Sequence, residues 1–166
     1  YIYTRVVGIP WSSMARVGDA VAVGAPLGQA IGRVGCFLNG CCHGGVTDVP
    51  WAVIYEHPQS FAEYPGMPVH PSQLYLVVWN LVVFLVVFLM RKRAKPDGAS
   101  FLVYLILYAM GDFAVRFFRT NATYALGLQQ SQLIGLGIIA VCAPILVVKW
   151  RRFREESRAV EAPVEL

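Results

Sequence analysis

The sequence predicts an all-α, polytopic membrane helix bundle, and three observations carry that prediction. Hydrophobic residues fill 57% of the 166 positions and charged residues only 14%, with a mean hydropathy of +0.54. That balance is too apolar for an ordinary soluble domain of this length. Four charge-poor stretches are each long enough for the ~20 residues a helix needs to cross ~30 Å of hydrocarbon. The basic residues, finally, concentrate in Arg91–Lys95 and Lys149–Arg154, directly beside apolar runs. The net charge of +4 therefore reads as the positive-inside pattern with anionic membrane lipid as counter-charge, and not as a nucleic-acid surface.

About four spans follow in order, at 17–38, 72–90, 100–119 and 128–148, within one transmembrane domain over residues 1–155. The second and fourth are the plainest, because Ser72–Met90 and Thr120–Val148 contain no formal charge. The first is interrupted by Asp19 and Arg33, and the third by Asp112, so these residues are expected to face inward. Between the first two spans, the loop at 43–71 is rich in Gly and Pro. It cannot be a regular helix and is longer than a connection requires, which predicts a lid or re-entrant segment over the site. After Glu155 the chain turns polar and charge-mixed, so residues 156–166 are expected to form a disordered tail.

Placing both basic clusters in the cytoplasm makes the C-terminus cytoplasmic, with Arg5 and Arg16 at the inner start of the first span. The loop from about Cys41 to Val69 and the turn at 120–127 then lie outside. Because the chain begins at Tyr1 without a methionine, it reads as a fragment or a trimmed piece.

Arg33 is the first candidate for function. A cation in hydrocarbon costs from ~3 kcal/mol on insertion scales to over 10 in simulations, so it persists where it meets water or an anion. A structural pair with Asp19 or Asp112 is one explanation. The functional one is a phosphate or carboxylate clamp, since guanidinium offers a fixed fork of donors and stays charged. Gly32, Gly35 and Gly40 fit close helix packing, as small residues do in membranes.

Cys36, Cys41, Cys42 and His43 raise metal or redox chemistry. The spacing is not Cys-x-x-Cys and the vicinal pair suits two ligands poorly, so no metal is expected there. A disulfide among them is chemically permitted on an outer face. Cys142, mid-span, reads as a small core residue. His70 sits where a loop meets a helix; Pro71 and Ser72 explain themselves as a helix start. Gln73 and Tyr75 are polar groups entering an apolar span, and His70 can carry a proton near neutral pH.

These residues carry a resemblance. The run Gly32-Arg33-Val34-Gly35-Cys36-Phe37-Leu38-Asn39-Gly40-Cys41-Cys42-His43-Gly44, then Pro50-Trp51, then His70-Pro71-Ser72-Gln73-Leu74-Tyr75, then Tyr108 and a Phe/Arg-rich helix end resemble the prolipoprotein diacylglyceryl transferase family in order and spacing. The resemblance covers most of the chain from about Asp19 to Gly137. It implies a bacterial inner-membrane enzyme that moves the diacylglyceryl group of phosphatidylglycerol onto the lipobox cysteine thiol of a prolipoprotein signal peptide. The products are a thioether-linked lipid and glycerol phosphate, and no metal or organic cofactor is implied.

It further implies that Arg33 contacts the phospholipid head group and that Asn39 and Gly44 match the motif's later positions. The chemistry suits the residues. A thiol is a weak nucleophile until deprotonated, and the lipid carbon is unreactive until its phosphate leaving group is stabilised. Arg33, with Arg116, Arg119 and Gln73, is expected to bind substrate; His70, oriented by Tyr75, is expected to take the thiol proton. The chain departs from the family pattern where an asparagine is usual at Cys36 and a glutamate at Cys41. A glutamate is also frequent at Leu76, and arginine followed by glutamate is replaced by Asp112 followed by Arg116. Residues four apart share a helix face, so that ion pair is expected to persist with its ends exchanged. The family's N-terminal spans, with a His-Gly-Gly motif, have no counterpart here. A catalytically inactive lipid- or lipoprotein-binding relative and a membrane thiol oxidoreductase are the competing readings.

Overall fold

A computed structural model of the chain describes residues 7–8, 11–92, 95–120 and 127–161. Arg5, Arg93, most of the turn at 120–127 and the end of the tail lie outside the described residues. Four helices dominate: α1 (Trp11–Asn39), α2 (Ser72–Met90), α3 (Ala99–Val115) and α4 (Gln130–Glu161). Each is long and apolar enough to cross a membrane. A short antiparallel pair, β1 (Val53–Ile54) and β2 (Pro68–Val69), lies in the loop between α1 and α2, with Val53 opposite Val69. A 3-10 turn, Arg116–Phe118, extends α3.

Helix α1 packs mainly on α2 and α4 on α3, with α3 also touching both α1 and α2. The core is narrow. Ala22, Val83, Val87 and Tyr104 are buried at its centre, flanked by Trp79, Phe101 and Leu105. Trp79 bridges α2 to α3 by donating its indole N–H to the Leu107 carbonyl at 2.8 Å. Elsewhere large apolar side chains face outward: Ile31, Leu38 and Val78 are 67%, 79% and 63% exposed. Such a surface is unfavourable in water and suited to lipid, which is how a multi-pass membrane bundle distributes its apolar residues.

The buried face of α2 runs Ser72, Gln73, Leu76, Asn80, Val83, Val87. These residues follow the three-to-four spacing of a helix face, polar at its start and apolar toward Met90. The bundle therefore has two different ends. One gathers the start of α1, the end of α2, the start of α3 and the basic stretch of α4. There Asp19 accepts hydrogen bonds from Lys95 Nζ at 3.2 Å and from the backbone N–H groups of Gly98 and Phe101 at 2.9 and 3.0 Å. Arg16 meets Asp97 at 3.6 Å, and Lys149 Nζ donates to the Asp97 carbonyl at 2.6 Å. Asp19 thus caps α3 at the basic end, and the structural pair with Arg33, one of the two explanations open from the sequence, does not form. Fourteen residues separate the two along α1, about 21 Å at 1.5 Å per residue.

Two helices also run past the bounds expected for their spans. Helix α4 continues to Glu161, through part of the stretch expected to be disordered. Arg151/Glu155, Arg152/Glu156 and Glu155/Arg158 are spaced to support helix, and Arg, Glu and Ala are strong helix formers. Helix α1 begins at Trp11 and so extends beyond the span expected at 17–38, because a helix does not stop where hydrocarbon does. Among the described residues, a Cβ added to Gly32 or Gly35 meets nothing within 4 Å, so neither glycine is in close helix packing there.

Candidate functional site

At the other end, the chain leaves α1 through Gly40, at φ +79°, and Cys42, at φ +62°. Two left-handed residues in three turn the backbone sharply back on the helix. The turn is then fixed by its carbonyls. Gln73 Nε2 donates to the Cys41 carbonyl at 2.8 Å and Ser72 Oγ to the Cys42 carbonyl at 2.9 Å. Arg119 grips the same place, donating Nη2 to the Cys42 carbonyl at 2.6 Å and Nε to Ser72 Oγ at 3.3 Å. Asn39, exposed at the end of α1, accepts from Phe61 N–H through its backbone carbonyl at 3.1 Å, and the Cys41 thiol donates to the Cys36 carbonyl at 3.8 Å. Burial raises the Cys41 thiol pKa, but hydrogen bonds from Asn39, Cys36 and Cys42 outweigh it and leave it below the ordinary value.

Gly44 is where three segments meet. Its N–H donates to the His70 carbonyl at 2.8 Å, and Gly45 N–H donates to the Phe118 carbonyl at 2.8 Å. A Cβ at Gly44 would strike the Phe118 carbonyl and lie 2.7 Å from His70 Cβ. Gly44 is thus held by backbone crowding. The loop it opens pairs Val46 with Val69 and lies across the start of α2.

Arg33 is half-buried and lines a cavity of about 270 Å³ with Gln29, Gly32, Cys36, Asn80 and Tyr108. It makes no ion pair or hydrogen bond among the described residues: Asp19 is spent at the basic end and Asp112 binds Arg116 at 3.2 Å. The two amide oxygens nearest the cavity, Gln29 Oε1 and Asn80 Oδ1, are buried and also unpaired among the described residues. A half-buried cation and two unmet polar atoms around one space describe a site for a polar ligand, because such groups are costly when left unsatisfied. Asn80 and Gln29 were missed as candidates. Asn80 sits seven residues, two turns, beyond Gln73 in an otherwise apolar run, and that signal was available.

Arg116 and Arg119 approach from the end of α3. Arg116 binds Asp112 in the expected exchanged pair and reaches Gln129 Oε1 at 3.5 Å. Gln129 Nε2 in turn donates to the Arg116 and Arg119 carbonyls at 3.1 and 3.2 Å. The Arg119 pKa is lowered by burial, then by the charges of Arg116 and Arg33, with Cys42 and Asp112 opposing. Arg119 therefore lies within electrostatic reach of both Arg116 and Arg33, while Asp112 pairs with Arg116 and Glu63 lines a cavity beside Arg119 with Cys42 and His43. A second cavity of about 200 Å³ runs along α3 and α4 past Asp112, Arg116 and Ser131, and shares Tyr108 with the first.

His70 and Tyr75 form a separate group. His70 Nδ1 and the Tyr75 hydroxyl are 3.2 Å apart, and Trp51 Nε1 donates to that hydroxyl at 2.7 Å. Phe118 packs against both rings, at 5.1 Å from His70 and 5.5 Å from Tyr75. Neither residue lines the cavity that holds Arg33. The structure thus brings Gln73, Arg119 and Asn39 to the turn after α1, keeps Arg33 one step deeper, and sets His70 with Tyr75 beside them. Cys36, Cys41 and Cys42 are free thiols, without the disulfide that the sequence permits, and their sulfur atoms lie within 4.8 Å of one another.

Comparison with known proteins follows the same residues. A family model described as prolipoprotein diacylglyceryl transferase matches residues 1–148. The chain is similar to a phosphatidylglycerol–prolipoprotein diacylglyceryl transferase of Dehalococcoides mccartyi, 42% identical over 140 residues, covering 84% of this chain and 54% of the relative. Relatives with the same name occur in Clostridioides difficile, 39% identical over 145 residues with 84% and 54% covered, and in Paraburkholderia xenovorans, 36% identical over 179 residues with 90% and 60% covered. The chain spans about half the length of the curated relatives it matches.

Proposed function

The chain belongs to the prolipoprotein diacylglyceryl transferase family, and from that premise we propose that it transfers the diacylglyceryl group of phosphatidylglycerol to the lipobox cysteine of prolipoprotein signal peptides. The observation that carries the reading is Arg33: a half-buried guanidinium with no anion among the described residues, facing a cavity edged by Gln29 and Asn80. A phosphodiester supplies the missing charge, and guanidinium matches its geometry with two parallel hydrogen bonds.

In the proposed reaction the thiolate attacks the glyceryl carbon that carries the phosphate. A C–S bond forms, the C–O bond breaks, and glycerol phosphate leaves with the electron pair. Negative charge grows on the departing phosphate, where a fixed cation in a low-dielectric site lowers the barrier most. Arg33 is assigned to that phosphate, Arg119 to the second flank, and Arg116 with Asp112 to the wall at Tyr108. Gln73 and Asn39 hold the turn at Cys41 and Cys42, and Gly44 lets the loop close over it. His70, outside the lipid cavity, is assigned to the incoming thiol, whose proton it takes, with Tyr75 orienting the imidazole. Both basic clusters belong to one end of the bundle, which supports an inner-membrane orientation with that end and the C-terminus cytoplasmic.

The test is rescue of a transferase-depleted bacterium by the full-length gene, scored by growth and by lipoprotein modification. Rescue by wild type, none by Arg33→Ala and little by Arg33→Lys is expected, since an ammonium does not reproduce a bidentate fork. A well-inserted wild type that fails to modify lipoproteins overturns the enzyme reading and leaves the inactive lipid-binding relative. Equal activity of wild type and Arg33→Ala overturns the clamp.

A further inference from the structure

The turn that closes α1 gathers more sulfur than the transfer reaction uses. Cys36 stands in the last turn of the helix, and Cys41 and Cys42 follow Gly40. Residues five and six positions beyond Cys36 would point elsewhere if the helix simply continued or unwound. The left-handed conformations of Gly40 and Cys42 instead fold them back, so that all three sulfur atoms lie within 4.8 Å of one another. Among the described residues this is the only cluster of three or more such ligand groups. Cys36 and Cys41 are half-buried and Cys42 is exposed.

We propose that Cys36, Cys41 and Cys42 form a binding site for a thiophilic divalent cation of the zinc class, held by three thiolates with its fourth position open to solvent beside Cys42. The geometry is close to what such an ion needs. Metal–sulfur bonds of about 2.3 Å in trigonal or tetrahedral arrangement set sulfur atoms about 3.8–4.0 Å apart, so the cluster must contract by less than about 1 Å. Thiolates select zinc over the hard cations of the same charge.

Three thiolates and a dication leave one net negative charge, and two cations belong to the same turn: Arg33 precedes Cys36 by three residues on α1, and Arg119 grips the Cys42 carbonyl at 2.6 Å. His43, next in sequence, is not the fourth ligand. Its Nδ1 bonds the Gly44 carbonyl at 2.7 Å and its Nε2 accepts from Glu63 N–H at 2.9 Å. Binding here has a consequence for the neighbouring site. The carbonyls of Cys41 and Cys42 are the ones held by Gln73 and Arg119, so an ion locking the turn also fixes where Arg119 sits. The proposal rests on the thiol geometry and stands apart from the transferase reading, because its readout is metal content.

The full chain, purified in detergent with a non-thiol reductant, is titrated with zinc against a chromophoric chelator and with cadmium as an ultraviolet probe of thiolate-to-metal charge transfer. One ion per chain and a charge-transfer band are expected. Cys36→Ser, Cys41→Ser and Cys42→Ser should each loosen binding by at least about tenfold, the lower bound for disturbing a metal's surroundings, while Cys142→Ser leaves it unchanged. X-ray absorption of the zinc-loaded wild type, which needs no variant to fold, should find three sulfur neighbours near 2.3 Å. Fewer than three sulfur neighbours, a band that survives the triple serine variant, or reductant-released thiols with no bound metal, marking a disulfide, would each overturn the proposal.

Discussion

The two ends of this bundle handle buried charge in opposite ways. At the basic end, Asp19 and Lys95 are 14% and 13% exposed and 3.2 Å apart, and the remaining lone pairs of the carboxylate are taken by the N–H groups of Gly98 and Phe101. Nothing is left over. At the other end Asp112 is taken by Arg116, Arg33 has no anion among the described residues, and Gln29 and Asn80 keep oxygens unpaired among the described residues. Charge that serves the fold closes on itself, whereas charge that serves a ligand is left open and is held in place by the closed parts. The closed end makes the open end affordable: a bundle that anchors α1 to α3 at Asp19 can tolerate an unmatched cation about 21 Å further along α1.

The largest expected effects test that contrast directly. Arg33→Ala should reduce transfer by at least about 10²–10³-fold, the cost of removing a charge-stabilising donor, while leaving the thermal midpoint of the detergent-purified protein near wild type. Asp19→Ala should do the reverse. It strands Lys95 and two helix-end N–H groups, and breaking a buried pair costs about 3–5 kcal/mol, so unfolding comes earlier while transfer per folded molecule persists. A large stability loss in Arg33→Ala would mean that Arg33 belongs to the closed class after all.

Glycines sharpen the comparison at the next scale. Gly44→Ala pushes a methyl group onto the Phe118 carbonyl and His70 Cβ, both set by backbone, so it should cost about 1–3 kcal/mol as overpacking does. Gly32→Ala meets open space and should be neutral to stabilising by up to about 1 kcal/mol through helix propensity. Thermal denaturation of the two variants side by side checks the sign. Because Gly32 lines the Arg33 cavity, its alanine variant should also raise the apparent KM for lipid. A similar split is expected for Asn80→Leu. Removing a buried unpaired oxygen is neutral or stabilising, yet transfer should fall several-fold, as loss of one neutral hydrogen bond of about 0.5–1.5 kcal/mol does, because that oxygen can accept from a hydroxyl of the lipid's glycerol head group.

How much of this was legible in the sequence follows from the same physics. The spans were, because an uncharged run such as Ser72–Met90 has few other fates, and so was Arg33, because a cation in such a run demands an explanation. The exchanged Asp112/Arg116 pair was also legible, since residues four apart share a helix face whichever end carries the charge. Asp19 was not: it looked like a partner for Arg33, and only the register of α1 against α3 shows that it caps another helix. The cysteine cluster was hidden for a different reason. Spacing rules assume ordinary backbone, and Cys42 adopts a left-handed conformation that nothing in its residue type requires. The separation of His70 from the Arg33 cavity was equally invisible, because adjacency in a motif says nothing about which side of Phe118 a ring occupies.

That separation sets the smallest effect and the finest test. Trp51 is 59% exposed, and its bond to the Tyr75 hydroxyl is a neutral contact at the surface. Trp51→Phe should therefore cost no more than about 0.5–1.5 kcal/mol, the net worth of one such bond. If Tyr75 orients His70 toward the thiol, the effect on chemistry is larger than the effect on stability. Tyr75→Phe, which removes the imidazole's hydrogen-bond partner, should lower kcat several-fold, and Trp51→Phe, which frees that partner, should lower it less. KM for lipid should stay constant, since Arg33 is untouched. An unchanged kcat in both variants, together with a His70→Asn variant that keeps its kcat, would remove His70 from the proton transfer. His70 would then be left with the structural work its backbone already does, accepting from Gly44 N–H and donating to the Gly45 carbonyl.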